Sequence, residues 1–198
     1  MEGKQARELA TAAAPGEGVS GPQAPVLGNA AAPVTVVEFS DFQCAYCRQH
    51  ALETLPRIVE AYVDTGQVRY VWHDLPLDFH ANAGTAAEAA RCAGAQGAFW
   101  PMHDRLFETQ AEWSPLEGTA LAALLAGYAA ELDLDAAAFG RCLETGQFGQ
   151  QVRQDAGEGR QAGLNTTPGF LINGQILTGA QPFERFQEVI DAALRAGE

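Results

Sequence analysis

The sequence PVTVVEFSDFQCAYC, residues 33–47, joins an apolar run to two cysteines that are three positions apart. β-Branched and aromatic residues dominate positions 33–40, which predicts a strand buried on both faces. From Cys44 onward, apolar residues recur every three or four positions as far as Val63, and this spacing predicts a helix. We expect a kink at Pro56, because proline lacks the amide hydrogen that an interior helical position donates.

The rest of the chain contains a second strand, a long helical block and a terminal strand pair. Residues 67–73 form the predicted second strand, and residues 79–162 carry only helical patterns. Two further strands flank Asn173-Gly174, a dipeptide that favours a type I′ hairpin, and a last helix starts near Pro182. The first strand, helix and second strand should form a right-handed parallel crossover.

These elements predict an α/β fold: a mixed, mainly four-stranded sheet flanked by helices, with an inserted all-helical subdomain. We expect a flexible tail over residues 1–32, where small, polar and turn-forming residues offer little apolar surface for burial. The sheet domain then comprises residues 33–78 and 163–198, and the helical insertion comprises residues 79–162.

The composition excludes several classes of protein. The chain has 198 residues, 47% of them hydrophobic, and a net charge of −13 without a basic cluster. Phosphate neutralisation requires a basic face, so we expect no nucleic-acid partner and no binding to an anionic membrane surface. The first residues lack the apolar core of a signal peptide, so either the protein is cytosolic or a leader or anchor has been removed.

Cys44 and Cys47 lie where the buried strand ends and the helix begins, and this context suits redox chemistry. A thiolate at a helix N-terminus faces unpaired backbone amides, which lower its pKa. We therefore expect Cys44 to be the exposed nucleophile and Cys47 to be the shielded resolving thiol. Two alternatives remain: half of a zinc site, with His50 as a third ligand, or a purely structural disulfide.

Two further features accompany the cysteine pair. Glu38 interrupts an otherwise apolar strand, and a buried carboxyl group has a raised pKa. If its side chain points under the helix, it could exchange a proton with Cys47; the alternative is a solvated side chain at the sheet edge. Pro168 immediately precedes a predicted strand, and from sequence alone a trans peptide bond is the ordinary expectation.

Three motifs in order resemble the DsbA-like proteins of the thioredoxin superfamily: the strand and motif of residues 33–47, the stretch FWPMHDRLF of residues 99–107, and TTPGFLING of residues 166–174. The resemblance covers about residues 28–197. It implies a thioredoxin fold and a cis Thr167–Pro168 bond beside the two cysteines. It also implies that the backbone of Thr167 pairs with an extended substrate, that Glu38 is the buried acid, and that Tyr46 adjoins the substrate.

Two departures from that family are visible. Ala45-Tyr46 stands between the cysteines, without the histidine that the best-known oxidases carry there. One cationic contribution to thiolate stabilisation is therefore absent, which weakens the expectation of a strong oxidant. Gly169 follows Pro168 where a hydroxyl or larger residue is common.

The other cysteines, Cys92 and Cys142, fall in separate predicted helices of the insertion. A bond between them would close a loop of about 50 residues, for which chain entropy predicts about 4 kcal/mol of stabilisation. Relatives with a second pair support a structural disulfide; two buried free thiols are the alternative. We assign structural or surface roles to the remaining histidines: His73, His80 and His103.

The resemblance implies an extracytoplasmic or periplasmic oxidoreductase that introduces disulfides into unfolded or extended proteins bearing cysteine thiols. It further implies reoxidation by a quinone-linked membrane partner, and we expect a monomer without metal or cofactor. A disulfide reductase or isomerase on the same fold is one alternative. A non-catalytic module that binds peptides as a chaperone is another.

Overall fold

The computed structural model describes residues 24–197, which fold around one five-stranded sheet. The strands lie in the order β1-β3-β2-β4-β5. β2 and β3 are parallel, as the crossover prediction requires, and the other neighbouring pairs are antiparallel. Their bounds are β1 Val26–Leu27, β2 Val34–Ser40, β3 Val68–Asp74, β4 Gly169–Ile172 and β5 Gln175–Thr178.

A continuous helical segment connects β2 to β3. It begins with α1, Ala45–Gln49, and continues through α2, Leu55–Ile58; each is followed by a π-helical turn, His50–Thr54 and Val59–Val63. Pro56 lies in the first turn of α2, directly after the first π-helical turn, so the change in hydrogen bonding falls where the kink is expected. The other helices are α3 Ala83–Gly94, α4 Phe99–Glu108, α5 Gln110–Trp113, α6 Gly118–Glu131, α7 Ala136–Glu144, α8 Gly149–Gln161 and α9 Phe183–Ala196.

The sheet corrects one prediction, because it has five strands instead of four. β1 pairs with β3 through Val26 opposite Val71, and it lies inside the stretch predicted as a flexible tail. Two residues are too few to show an alternating pattern, so only pairing with β3 reveals the strand. Trp100 of the insertion reinforces it by donating its indole hydrogen to the Val26 carbonyl at 3.2 Å. Residues 1–23 of the predicted tail lie outside the described part.

Helices cover both faces of the sheet. One face presents Val36, Tyr70 and Phe170 to the apolar cluster that also includes the residues of α2 and α9. The opposite face packs Phe39 and its neighbours against α8. α8 approaches this face so closely that a β-carbon at Gly159 would lie 2.7 Å from the Phe39 ring, and only glycine fits there.

The helical insertion shares its apolar core with the sheet. Phe107, Leu125 and Phe139 belong to the same buried cluster as Val36 and Trp72. The predicted hairpin is also present, with positive φ angles of 44° at Asn173 and 85° at Gly174 between β4 and β5. Among residues 24–197, none of the helices combines the length and apolarity needed to cross a bilayer.

Candidate active site

Cys44 directly precedes α1, and Cys47 lies in its first turn. Cys47 is fully buried, as predicted, but Cys44 is only 6% exposed, although it was expected to be open to solvent. The difference arises because the loop before β4 covers the sulfur: the Cys44 thiol donates to the Thr167 carbonyl at 3.6 Å. Tyr46, between the two cysteines, is 66% exposed. The Cys44 sulfur therefore lies just under a surface whose outer neighbour is Tyr46.

The two thiols have opposite acidities. The pKa of Cys44 falls from 9.0 to about 6, mainly because the Cys47 thiol hydrogen-bonds to it; the Thr167 side chain and backbone amides of α1 contribute further. The pKa of Cys47 is raised well above its ordinary value, first by burial and then by its neighbours Cys44 and Glu38. Near neutrality the structure therefore favours a thiolate at Cys44 beside a protonated Cys47.

The loop before β4 completes the wall around Cys44. The Thr167–Pro168 peptide bond is cis, and the Pro168 carbonyl accepts from the Gly179 amide at 2.8 Å. The Thr167 hydroxyl is buried without a hydrogen-bond partner among the described residues, which leaves it available to the Cys44 thiolate. Sequence alone favoured a trans bond here, so the cis bond was visible only through the family resemblance.

Glu38 lies on β2 beneath the start of α1 and is 1% exposed. Burial raises its pKa, although the Tyr70 hydroxyl opposes this by donating to Glu38 Oε2 at 2.6 Å. Tyr70 in turn contacts His50 Nε2 at 3.0 Å. Glu38 is thus a buried side chain, not a solvated one at the sheet edge. Its negative charge contributes to the raised pKa of Cys47.

Asp41 holds the cysteine motif in place, a role that no local sequence pattern indicates. Its amide donates to the Cys47 sulfur at 3.5 Å. Its buried carboxylate accepts from the amides of Gln43 at 2.7 Å and Leu77 at 2.8 Å, and contacts His80 Nδ1 at 2.8 Å. Asp41 therefore ties the cysteine loop to the segment after β3, and it gives His80 a structural contact as expected.

The insertion also contributes to the site. Gln110, from α5, donates its side-chain amide to the carbonyls of Phe42 at 2.7 Å and Cys44 at 3.1 Å. Gln43 contacts Ser114 and accepts from the Asn82 amide at 2.8 Å. Because these contacts join residues 39–71 positions apart, no local pattern could have predicted them.

The second cysteine pair and the remaining histidines lie elsewhere. Cys92 of α3 and Cys142 of α7 are joined by a disulfide with a Cα–Cα distance of 5.9 Å. His50, the third ligand of the zinc alternative, directs Nε2 at Tyr70. His103 packs edge-on against Trp72 at 4.8 Å between ring centres, which is a structural role.

A cluster that sequence analysis missed lies under α8. His73 approaches Asp155 and Glu158 at 3.6 Å, and these groups could face a common cation. The charged side chain next to this cluster is Arg91, whose guanidinium forms ion pairs with both Asp74 and Asp155. These ion pairs join α3 to β3 and α8, so Arg91 has a structural role.

Thiols whose pKa values are driven apart within one helical turn are suited to thiol–disulfide exchange. Together with the cis-proline loop, they define the class as a thiol–disulfide oxidoreductase with a thioredoxin fold. The sequence profile of the thioredoxin family matches residues 20–192. The chain therefore belongs to the thioredoxin family, in its DsbA-like branch, which confirms the predicted fold and resemblance.

Individual relatives agree with this assignment. The probable disulfide bond formation protein D of Bacillus anthracis is 30% identical over 177 residues, covering 85% of this chain and 77% of that protein. The oxidised crystal structure of BdbD from Bacillus subtilis has a TM-score of 0.78 at 26% identity, covering 87% of this chain and 94% of that one.

A further relative is a much longer protein. The Na(+)/H(+) antiporter NhaA 1 of Salinispora arenicola is 39% identical over 169 residues, covering 85% of this chain but 24% of that protein. The chain thus spans about a quarter of the length of the antiporters that it matches.

Proposed function

We propose that the chain oxidises pairs of cysteine thiols in extended or unfolded proteins outside the cytoplasm. The observation that carries this proposal is the position of the Cys44 sulfur at the N-terminus of α1, 3.6 Å from the Thr167 carbonyl and beside Cys47, which lowers the pKa of Cys44 to about 6. A stabilised thiolate favours the reduced form of the pair, and a stabilised reduced form makes the disulfide a stronger oxidant. The neighbours of Cys44 thus compensate for the histidine that is missing between the cysteines.

The proposed reaction proceeds in two exchanges. A substrate thiolate attacks the Cys44 sulfur of the Cys44–Cys47 disulfide, and Cys47 leaves as a thiolate. A second substrate thiolate then attacks the substrate sulfur of the mixed disulfide and releases the Cys44 thiolate. The substrate gains a disulfide while the chain becomes a dithiol, so a separate oxidant must regenerate the chain. We assign that role to a quinone-linked membrane protein, as the family resemblance implies.

Glu38 is the proposed proton donor and acceptor for Cys47. The departing thiolate lies in a fully buried position, where an unprotonated sulfur is unfavourable. Glu38 is equally buried and its pKa is raised, so it can carry a proton at a pH where an exposed carboxyl group cannot. The same group can take the proton back when Cys47 attacks during reoxidation.

Substrate is proposed to bind across the cis-proline loop. Thr167 lies against the Cys44 sulfur, and its backbone could pair with an extended peptide as an added strand. Pro168 fixes the direction of this loop, and the exposed ring of Tyr46 offers apolar contact area beside the sulfur. This arrangement favours extended segments over folded surfaces, because a strand must lie along the loop.

The proposed location outside the cytoplasm is supported by the Cys92–Cys142 disulfide, since such bonds persist in oxidising compartments. Mass mapping of the native protein under non-reducing conditions tests this. A peptide pair linked through Cys92 and Cys142 is expected. Free thiols at both positions in native material would contradict the proposal.

The oxidase function is tested with the disulfide form of the protein and a reduced, unfolded protein as substrate. We expect disulfide formation in the substrate that is lost in Cys44→Ser. The matched control removes the other pair, Cys92→Ala with Cys142→Ala, and should retain activity. Equilibration with glutathione measures the reduction potential of the Cys44–Cys47 pair. A strongly reducing potential would indicate a reductase instead of an oxidase. Binding of unfolded chains without turnover, undiminished in Cys44→Ser, would indicate a chaperone module.

A further inference from the structure

Three buried side chains form a hydrogen-bonded row beneath Cys47. Glu38 Oε2 accepts from the Tyr70 hydroxyl at 2.6 Å, and Tyr70 Oη lies 3.0 Å from His50 Nε2. The row crosses from β2 to β3 and returns to the π-helical turn that follows α1. His50 and Tyr70 are 0% exposed, so water does not compete for these contacts.

The direction of each hydrogen bond follows from counting protons. The Tyr70 hydroxyl has one proton, which it donates to the Glu38 carboxylate, so His50 Nε2 must supply the proton to Tyr70 Oη. Burial lowers the pKa of His50 to about 3, so near neutrality the ring is uncharged and has one N–H. That hydrogen is then on Nε2. Among residues 24–197, Nδ1 has no hydrogen-bond partner, and the His50 ring packs against the rings of Phe170 and Phe186.

The two oxygens of Glu38 are consequently unequal. Oε2 is held by Tyr70, whereas Oε1 is buried without a partner among the described residues. An orphaned carboxylate oxygen in the core is costly unless a group that transfers a proton lies nearby. Cys47 is such a group: its buried sulfur lies over the end of β2, where it accepts from the Asp41 amide at 3.5 Å, and Glu38 raises its pKa.

The other groups around Glu38 do not replace this row. Cys47 lies in the first turn of α1, and His103 of α4 directs its Nδ1 at Asp104 and forms no hydrogen bond to Glu38. The Ser40 hydroxyl, further along β2, slightly lowers the pKa of both Glu38 and Cys47, but it forms no hydrogen bond to any described residue. On β4 the cross-strand neighbour is Phe170, which is apolar. Tyr70 therefore makes the main polar contact to the carboxylate, and His50 acts through Tyr70.

We propose that Tyr70 and His50 are positioning residues: as two uncharged donors in series they hold Glu38 Oε2 and leave Oε1 as the proton acceptor for Cys47. This inference rests on the proposed function of Glu38. In the step concerned, the Cys47 S–H bond breaks and its proton moves to Oε1. The resulting thiolate attacks the sulfur of a mixed disulfide at Cys44, which forms the Cys44–Cys47 bond and releases the other partner as a thiolate.

The test starts from protein that carries a mixed disulfide between Cys44 and glutathione. It measures, as a function of pH, how fast Cys47 attacks this disulfide and releases glutathione. Tyr70→Phe removes the donor to Oε2 with little change in volume, which destabilises the ionised carboxylate. The midpoint of the pH profile should move upward, and the rate below the midpoint should fall about tenfold, as expected for one hydrogen bond to a charged group. His50→Phe should move the midpoint in the same direction by less.

Tyr62→Phe is the matched control, because its hydroxyl also donates to a carboxylate, Asp191 at 2.7 Å, away from the cysteines. It should leave the profile unchanged. Glu38→Gln should remove the midpoint. If Glu38→Gln removes the midpoint but Tyr70→Phe leaves it where it is, this inference alone is overturned. A profile unaffected by Glu38→Gln would overturn the proton-transfer role of Glu38 as well.

A second readout covers the case in which Tyr70→Phe does not fold. The carboxyl stretching band in infrared difference spectra of the His50→Phe protein reports protonation of Glu38 directly. We expect this band to appear at higher pH than in the unchanged protein. The same pH dependence in both proteins would contradict the proposed role of His50, since His50 would then have no influence on the protonation of Glu38.

Discussion

The two cysteine pairs of this protein differ in surroundings more than in covalent chemistry. Cys44 and Cys47 are separated by one helical turn at the junction of β2 and α1, and both are free. Cys92 and Cys142 are 50 positions apart, lie on α3 and α7, and are bonded. The first pair is surrounded by groups that separate the two pKa values, whereas the second joins two helices. The comparison shows that position in the fold decides whether a pair of cysteines is bonded across helices or is free with widely separated pKa values.

The sharpest contrast within the first pair should be its reactivity. With a pKa of about 6, Cys44 is mostly ionised at neutral pH, whereas the pKa of Cys47 is raised well above its ordinary value. Iodoacetamide should therefore modify Cys44 at least about 100-fold faster than Cys47 in the reduced protein. Peptide mapping after brief alkylation measures this ratio. Comparable rates at the two sulfurs would show that the surroundings do not separate them.

Removing the second pair should affect stability and leave redox behaviour alone. Replacing Cys92 and Cys142 together by alanine opens a loop of 50 residues, which should lower the free energy of unfolding by about 4 kcal/mol. Chemical denaturation gives the loss, and equilibration with glutathione should give an unchanged potential for Cys44–Cys47. A shifted potential would mean that the insertion disulfide also tunes the active site.

The reduced form should gain stability, relative to the disulfide form, as the pH rises. The folded pKa of Cys44 is about 6, below that of an unfolded cysteine, so the unfolded chain binds the extra proton between these values. The difference in unfolding free energy between the two forms should grow by about 2.5 kcal/mol from about pH 5 to about pH 8. It is lost as the pH falls through the folded pKa. A pH-independent difference would contradict a depressed Cys44 pKa.

The smallest expected effect concerns the link between the insertion and the first pair. Gln110→Ala removes the side-chain donor from the buried Phe42 carbonyl and one of the two donors from the Cys44 carbonyl, which keeps the Arg48 amide, and should cost about 2 kcal/mol. Gln96→Ala is the control, because Gln96 contacts Asp135 in an exposed position and should cost little. Thermal unfolding compares the two variants. Equal losses would show that the insertion does not support the cysteine loop.

Local patterns predicted most of the fold because they depend on neighbours in sequence. The apolar run of β2, the helical spacing after Cys44 and the Asn173-Gly174 turn all have local physical causes. The exception is β1, a two-residue strand whose stability comes from pairing with β3. The candidate site was predicted in part: Cys44, Cys47 and Glu38 follow from local context, whereas Thr167 and Pro168 required the family resemblance.

The sequence by itself determined the strand, the helix that begins beside Cys44, and the carboxyl group buried among apolar neighbours, because each is encoded within a few residues. Tertiary structure alone decided that Thr167 covers the Cys44 sulfur, that Gln110 holds its carbonyl, and that Tyr70 and His50 align on Glu38. These contacts join residues 20–123 positions apart. Hydrogen bonds act over about 3 Å, so such partners are fixed only when the packed sheet and helices bring them together.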